Sequence, residues 1–230
     1  MILKSIVKST LQKFISLVFF FLKSRTLFDE LISKTENYIR LKNRISLDKI
    51  NENKILRNKS INLVDVGASF DIQDFSKQYK KIINFHLIDC NWDKSIYPKK
   101  KNFYFYDKFI SNKTKIITFN LTNDTGLSSG LTPNAEMSDY YWNKQNQNTV
   151  KIKKKIKLAS TSLKHLLKVN NIDILKIDVQ GTEFEVLKGM GKYRPFLIKV
   201  ESSTSEMYKN QKTIFEIGTL LRSKGYILHT

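Results

Sequence analysis

From residue 60 onward, short apolar runs rich in β-branched residues alternate with polar stretches of helical period. Such alternation restricts a chain to a sheet of parallel strands with helices packed on its faces. Ile61-Asn-Leu-Val-Asp-Val66 reads as a buried strand that meets Gly67 at once. A helix is predicted over 71–81, capped by Asp71 or Asp74, and strands over 82–89 and 103–110. Strands over 116–121 and 150–158 bracket a long polar insertion. A helix over 162–169 precedes a strand over 172–179 that is apolar nearly throughout, as a central parallel strand should be. A helix over 181–190, a strand over 196–200, a helix over 206–224 and a last strand over 226–228 complete the pattern. The expected fold class is α/β: a Rossmann-like, doubly wound, mostly parallel sheet over residues 60–230.

Residues 1–59 have a different character and read as an N-terminal helical extension and linker. Lys4, Lys8, Lys13, Lys23 and Arg25 flank an apolar run from Phe14 to Leu22. That run is about half the roughly 20 residues a spanning helix needs, and no small-residue cleavage site follows it. Residues 1–32 therefore read as a basic, apolar helix that packs on the domain or makes peripheral contact with an anionic membrane. Net charge is +19, from 40 Lys and Arg against 21 Asp and Glu. The lysines are scattered among Ile and Asn, so the excess fits a compositional bias as well as an anionic partner, and alone it names no partner. Cys90 is the only cysteine, which excludes an internal disulfide and fits a reducing cytoplasm. The expected location is cytoplasmic, either free or, where residues 1–32 contact a membrane, at its inner surface.

In open parallel sheets ligands bind beyond the carboxyl ends of the strands. The first such turn reads Asp65-Val-Gly67-Ala-Ser69-Phe-Asp71. A pyrophosphate would call for three glycines and no nearby acid. Here one glycine stands among Asp65, Asp71 and Asp74, whose carboxylates repel phosphate and suit a ligand with positive groups. S-adenosylmethionine carries two, an ammonium and a sulfonium. Asp89 ends the second strand, where an acid can accept ribose hydroxyls, and Asn91 follows it. The candidate cofactor-binding residues are thus Asp65, Gly67, Ser69, Asp89 and Asn91.

The stretch Leu175-Lys-Ile-Asp-Val-Gln-Gly-Thr-Glu-Phe-Glu-Val-Leu-Lys-Gly189 ends a strand at Asp178, turns at Gly181 and enters a helix with Glu183 in its first turn. It closely resembles the signature of the FkbM family, a Lys-Ile-Asp strand followed by Glu-Gly-Ala-Glu and a Val-Leu-Lys-Gly helix. Asp65 to Ser69 looks like that family's first turn, Ser160-Thr-Ser-Leu163 like its Thr-Leu element, and Ile198-Lys-Val-Glu201 like its fifth strand. The resemblance covers about 60–228. It implies a Rossmann-like methyltransferase that uses S-adenosylmethionine, commonly acts on oxygen, and in many relatives modifies sugars of polysaccharides or secondary metabolites. Three departures stand out. Ser69 replaces an Asn, Asp71 a second glycine, and Gln180 the usual Glu. The residues also stop at Thr230, just after the sixth strand, where the fold usually carries a seventh. The expectation is a missing last strand or a sheet edge built differently.

A sugar hydroxyl benefits from a base that removes its proton. Asp178, Glu183 and Glu201, all expected at the carboxyl edge, are the catalytic candidates. Three acids can alternatively hold a divalent cation that orients a diol, but no His or further carboxylate stands at clear ligand spacing, so a metal is not favoured. The expected partner is a carbohydrate or small-molecule hydroxyl acceptor. Two other functions stay in view. A nucleic-acid methyltransferase fits the basic balance, yet the Asp178-Val-Gln-Gly segment is not the Asn/Asp-Pro-Pro-aromatic turn of enzymes that methylate base amino groups. A catalytically degenerate, membrane-associated binding module fits the departures. His86 and His165 read as core or surface residues. The 126–130 segment and Tyr140-Tyr-Trp142 can close over a substrate or form a small satellite core.

Overall fold

The computed structural model describes residues 60–68, 83–91, 101–137 and 148–228. The expectations for residues 1–59, the helix over 71–81, Ser69 and the Tyr140–Trp142 cluster lie outside the described residues. In chain order the strands are β1 (Ile61–Val66), β2 (Ile83–Asp89), β3 (Phe103–Asp107), β4 (Phe109–Ile110), β5 (Ile116–Thr122), β6 (Ile152–Thr161), β7 (Ile174–Ile177) and β8 (Leu197–Val200). The described helices are α1 (Leu163–Leu166), α2 (Glu183–Lys188) and α3 (Ile214–Ser223).

Five strands form one sheet in the order β3-β2-β1-β7-β8, and every pairing within it is parallel. This is the expected Rossmann-like arrangement, with β1 at the centre and the chain reversing direction of growth beside it. Side chains alternate across the pleat, so Val64, Val66, Ile88, Leu175 and Ile177 share one face. Against them pack Leu163 of α1, Val186 and Leu187 of α2, Met190, and Ile217 of α3. Most of these side chains are wholly buried, and each contributes about 1.5–3 kcal/mol through removal from water. The opposite face gathers Ile83, Phe85, Leu87 and Phe103, the two phenyl rings stacking at 4.6 Å.

The predicted strand over 103–110 divides. The Lys108 N–H bonds to the carbonyls of Asp89 and Tyr106, both at 3.1 Å. There the chain leaves the large sheet and enters a small one of order β4-β6-β5. β4 runs parallel to β6, and β5 runs antiparallel to it.

Three elements depart furthest from the sequence reading. The 162–169 helix shortens to the four residues of α1. The helix expected over 206–224 begins only at Ile214, because Asn210 takes φ +66° and breaks the helical path. The Glu216 carboxylate then accepts bonds from the N–H and hydroxyl of Thr213, fixing the start of α3. Finally, 226–228 is not a strand. After Gly225 at φ +87° the Tyr226 hydroxyl donates to the Pro195 carbonyl at 2.8 Å, and Ile227 and Leu228 are exposed. Among the described residues no helix is long and apolar enough to cross a membrane.

Candidate active site

Parallel strands bring their carboxyl ends to one edge, and the ends of β1 and β7 meet there. The Asp178 N–H donates to the Val66 carbonyl at 2.9 Å. Gly67 turns away at φ +86°, and a Cβ placed on it would stand 1.7 Å from the Asp178 carbonyl oxygen. Glycine is thus required by the crossing of the two chains, before any ligand is considered. Beside this junction opens a cleft. Gly67, Asp89, Cys90 and Asn91 line one side, and Asp178, Val179 and Gln180 line another. Phe109 and Phe119 form an apolar wall, and the turn Thr125–Leu127, held by Asp124 accepting from the Gly126 N–H at 3.0 Å, contributes Thr125 and Gly126.

Asp178 and Glu201 end β7 and β8, and Gln180 ties them together. Its Nε2 donates to Asp178 Oδ1 at 2.9 Å and to Glu201 Oε2 at 3.0 Å. Gln180 sits at φ +57°, a left-handed conformation that costs a non-glycine residue about 1 kcal/mol or more. Its surroundings hold it there. The Ser129 hydroxyl donates to its carbonyl at 2.6 Å, and the Tyr208 hydroxyl lies 3.2 Å from Oε1 and 3.0 Å from the Leu127 carbonyl. Asp178 beside it, and then burial, push the Glu201 carboxyl up to about 8.

The structure separates the other candidates. Asp89 and Asn91 line the cleft, with the Asn91 N–H donating to Asp89 Oδ1 at 2.6 Å. Burial raises the Asp89 carboxyl. Asp65 is not brought to the cleft lining. The β1–β7 register sets Lys176 opposite it, and the two form an ion pair at 2.9 Å. Burial raises the Asp65 carboxyl and the Lys176 ammonium lowers it in part. Glu183 is 2% exposed and likewise stays out of the cleft. Its Oε1 accepts from the N–H groups of Gly181 at 2.9 Å and Val179 at 3.3 Å, while Oε2 has no hydrogen-bond partner. Burial raises this carboxyl. Glu183 thus braces the turn that carries Gln180, a placement that suits support rather than proton transfer to a substrate. Its position was legible in sequence; its direction was not.

Burial pushes the Cys90 thiol up to about 12, which leaves it protonated and a poor nucleophile. His86 is buried between aromatic neighbours, stacked on Tyr104 at 4.8 Å with Nδ1 3.0 Å from the Tyr106 hydroxyl. His165 Nδ1 lies 2.9 Å from the Ser162 hydroxyl. Among the described residues no group of three or more His, Cys, Asp or Glu is arranged to hold a metal ion. One participant, Tyr208, escapes sequence reasoning altogether, and Ser129 was read only as part of the 126–130 segment. The one signal was Gly181, at φ +103°, where a Cβ would stand 2.9 Å from the Tyr208 ring.

Among the described residues two carboxylates, Asp89 and Asp178, share the cleft with a single cation, Lys108, and with apolar walls. That donor set fits a ligand carrying positive charge, ribose hydroxyls and a flat apolar ring, as S-adenosylmethionine does. No curated protein and no solved structure was found to match the chain. The model of the methyltransferase FkbM domain matches residues 65–228, from the end of β1 past α3 and including every acid at the carboxyl edge. The chain belongs to the FkbM family of S-adenosylmethionine-dependent methyltransferases.

Proposed function

We propose that this methyltransferase acts on oxygen and methylates a sugar hydroxyl of a polysaccharide or glycoconjugate. The observation that carries the reading is the Asp178–Gln180–Glu201 cluster beside the cleft. Gly67, Asp89 and Asn91 would hold the cofactor, which supplies a methyl group on a sulfonium when bound. Asp178 lines the cleft, so its carboxylate is the group that meets the acceptor and takes the hydroxyl proton. Glu201 is outside the cleft lining and is joined to Asp178 through the Gln180 amide. Gln180 fixes the direction of both carboxylates, and alignment is most of what a displacement of this kind asks of a protein. Phe109 and Phe119 supply apolar faces of the sort on which rings pack. The reaction suits a reducing cytoplasm, and peripheral membrane contact through residues 1–32 would place it near glycan assembly.

Calorimetric titration with S-adenosylhomocysteine, run beside NAD, tests the reading. Micromolar binding of the former alone is expected, weakened by Asp89→Ala. Asp178→Ala should keep that affinity and lower turnover by about 10²–10⁴-fold. Full turnover in Asp178→Ala would assign the proton to another group, and failure to bind the nucleoside at all would favour the degenerate binding module.

A further inference from the structure

The small sheet carries a concentration of charge that the catalytic cluster does not use. Five of the seven residues 151–157 are lysine, and all five are exposed. Lys113 and Lys115, just before β5, are exposed as well. Between Lys108 and Asp173 the sequence holds only three acids, Asp124, Glu136 and Asp139. Asp124 is engaged with the Gly126 N–H. Among the described residues none of these lysines has an ion-pair partner. One or two charges suffice to discourage pairing at an open strand edge; five in seven positions exceed that need.

Lys153, Lys155 and Lys157 alternate along β6 and so share one face, at steps of about 7 Å. The ladder also leads to the cleft. Lys155 lies opposite Asn120 and Lys154 opposite Leu121 of β5. The Asn123 N–H donates to the Lys151 carbonyl and the Asp124 N–H to the Thr149 carbonyl, both at 3.0 Å. Thr125 and Gly126, the next residues, line the cleft, and Lys108 lines it from the other side.

We propose that the acceptor is an acidic glycan, a chain of sugars bearing carboxylates, which lies along the β6 lysines and presents a hydroxyl at the cleft. The inference rests on the O-methyltransferase reading above and names its substrate class. A line of charge one strand wide suits a single extended polymer better than a planar bilayer. The line is made of lysine alone, with no arginine between Arg57 and Arg194 to fork a phosphate. On β5 and β6 the one aromatic residue, Phe119, is buried, so the ladder offers no platform on which a base could stack.

The test titrates the full chain with polygalacturonate, neutral dextran, phosphatidylglycerol vesicles and oligouridylate RNA at two salt concentrations. Polygalacturonate should bind tightest, lose affinity steeply with salt, and bind about tenfold or more weakly to the triple variant Lys153→Gln, Lys155→Gln, Lys157→Gln. The corresponding triple Arg variant should retain binding. S-adenosylhomocysteine affinity should be unchanged in both, which shows each to be folded. Equal polygalacturonate binding by the Gln variant, or tighter binding of dextran, vesicles or RNA by the native chain, would overturn the proposal while leaving the cofactor site intact. Loss of S-adenosylhomocysteine binding in the native chain would instead remove the reading on which it rests.

Discussion

The two sheets are both rich in isoleucine, yet they use it in opposite ways. In the large sheet β1, β2 and β7 are hydrogen-bonded on both sides, and side chains such as Val64, Ile88 and Leu175 are fully buried. In the small sheet the isoleucines of β6 are half-buried and lysines fill the alternate positions. Burial fixes the first sheet's register, because a one-residue slip would turn its apolar side chains outward. The second is specified mainly by hydrogen bonds and displays charge. One region sets where the carboxylates stand, and the other holds its lysines out to solvent.

The sharpest way to break this contrast is to remove apolar volume from each sheet. Leu175→Ala should cost about 2–5 kcal/mol of stability, as fully buried leucines do, while Ile156→Ala on β6 should cost clearly less. Denaturant unfolding reads both, and equal losses would show that the small sheet is as much a part of the core as the large one. A second, smaller effect concerns pH. The Glu201 carboxyl is raised to about 8, so Glu201 gains its charge beside Asp178, and makes that carboxylate a stronger base, only as pH climbs through 8. Turnover should rise as pH climbs toward 8 and level off above it, and Glu201→Gln should flatten that limb. Stability runs the other way. A carboxyl whose folded pKa exceeds its unfolded value stabilises fully below about 4.3, and that contribution is lost as pH rises through 8. Thermal unfolding across pH 5–9 would show the opposed slopes. The smallest effect belongs to Tyr208, whose hydroxyl joins Gln180 to the Leu127 carbonyl beside the cleft. Tyr208→Phe should cost about 1 kcal/mol and reduce turnover a few-fold. No change in rate would mean that Ser129 alone suffices to hold the turn.

Much of the large sheet was legible because buried parallel strands leave continuous apolar runs, as in 61–66, 83–89 and 174–177. The division at Lys108 was not legible, since Phe105 and Phe109 are equally apolar and only hydrogen bonding assigns them to different sheets. The start of α3 carried a readable cue, Thr213-Ile-Phe-Glu216, the spacing of a capping box, which marks 214 rather than 206. The candidate site divides in a similar way. Asp89 and Asp178 follow from their strand ends alone. The inward turn of Glu183 and the ion pair of Asp65 depend on neighbours more than a hundred residues away or on unpaired N–H groups of a turn. Tyr208 lay within a predicted helix, which hid the extended segment that pairs with Pro133 and carries its ring to Gly181.

Gly67 gives the reaction centre a single reference point. Gly67, at the turn after β1, touches the backbone of Asp178 at the end of β7, with no room for one further carbon atom. Any error in how β1 ends is therefore passed directly to Asp178. On the proposed assignment, methyl donor and acceptor would be measured from the same mark, and their alignment would not accumulate the tolerances of the loops that lie between them in sequence.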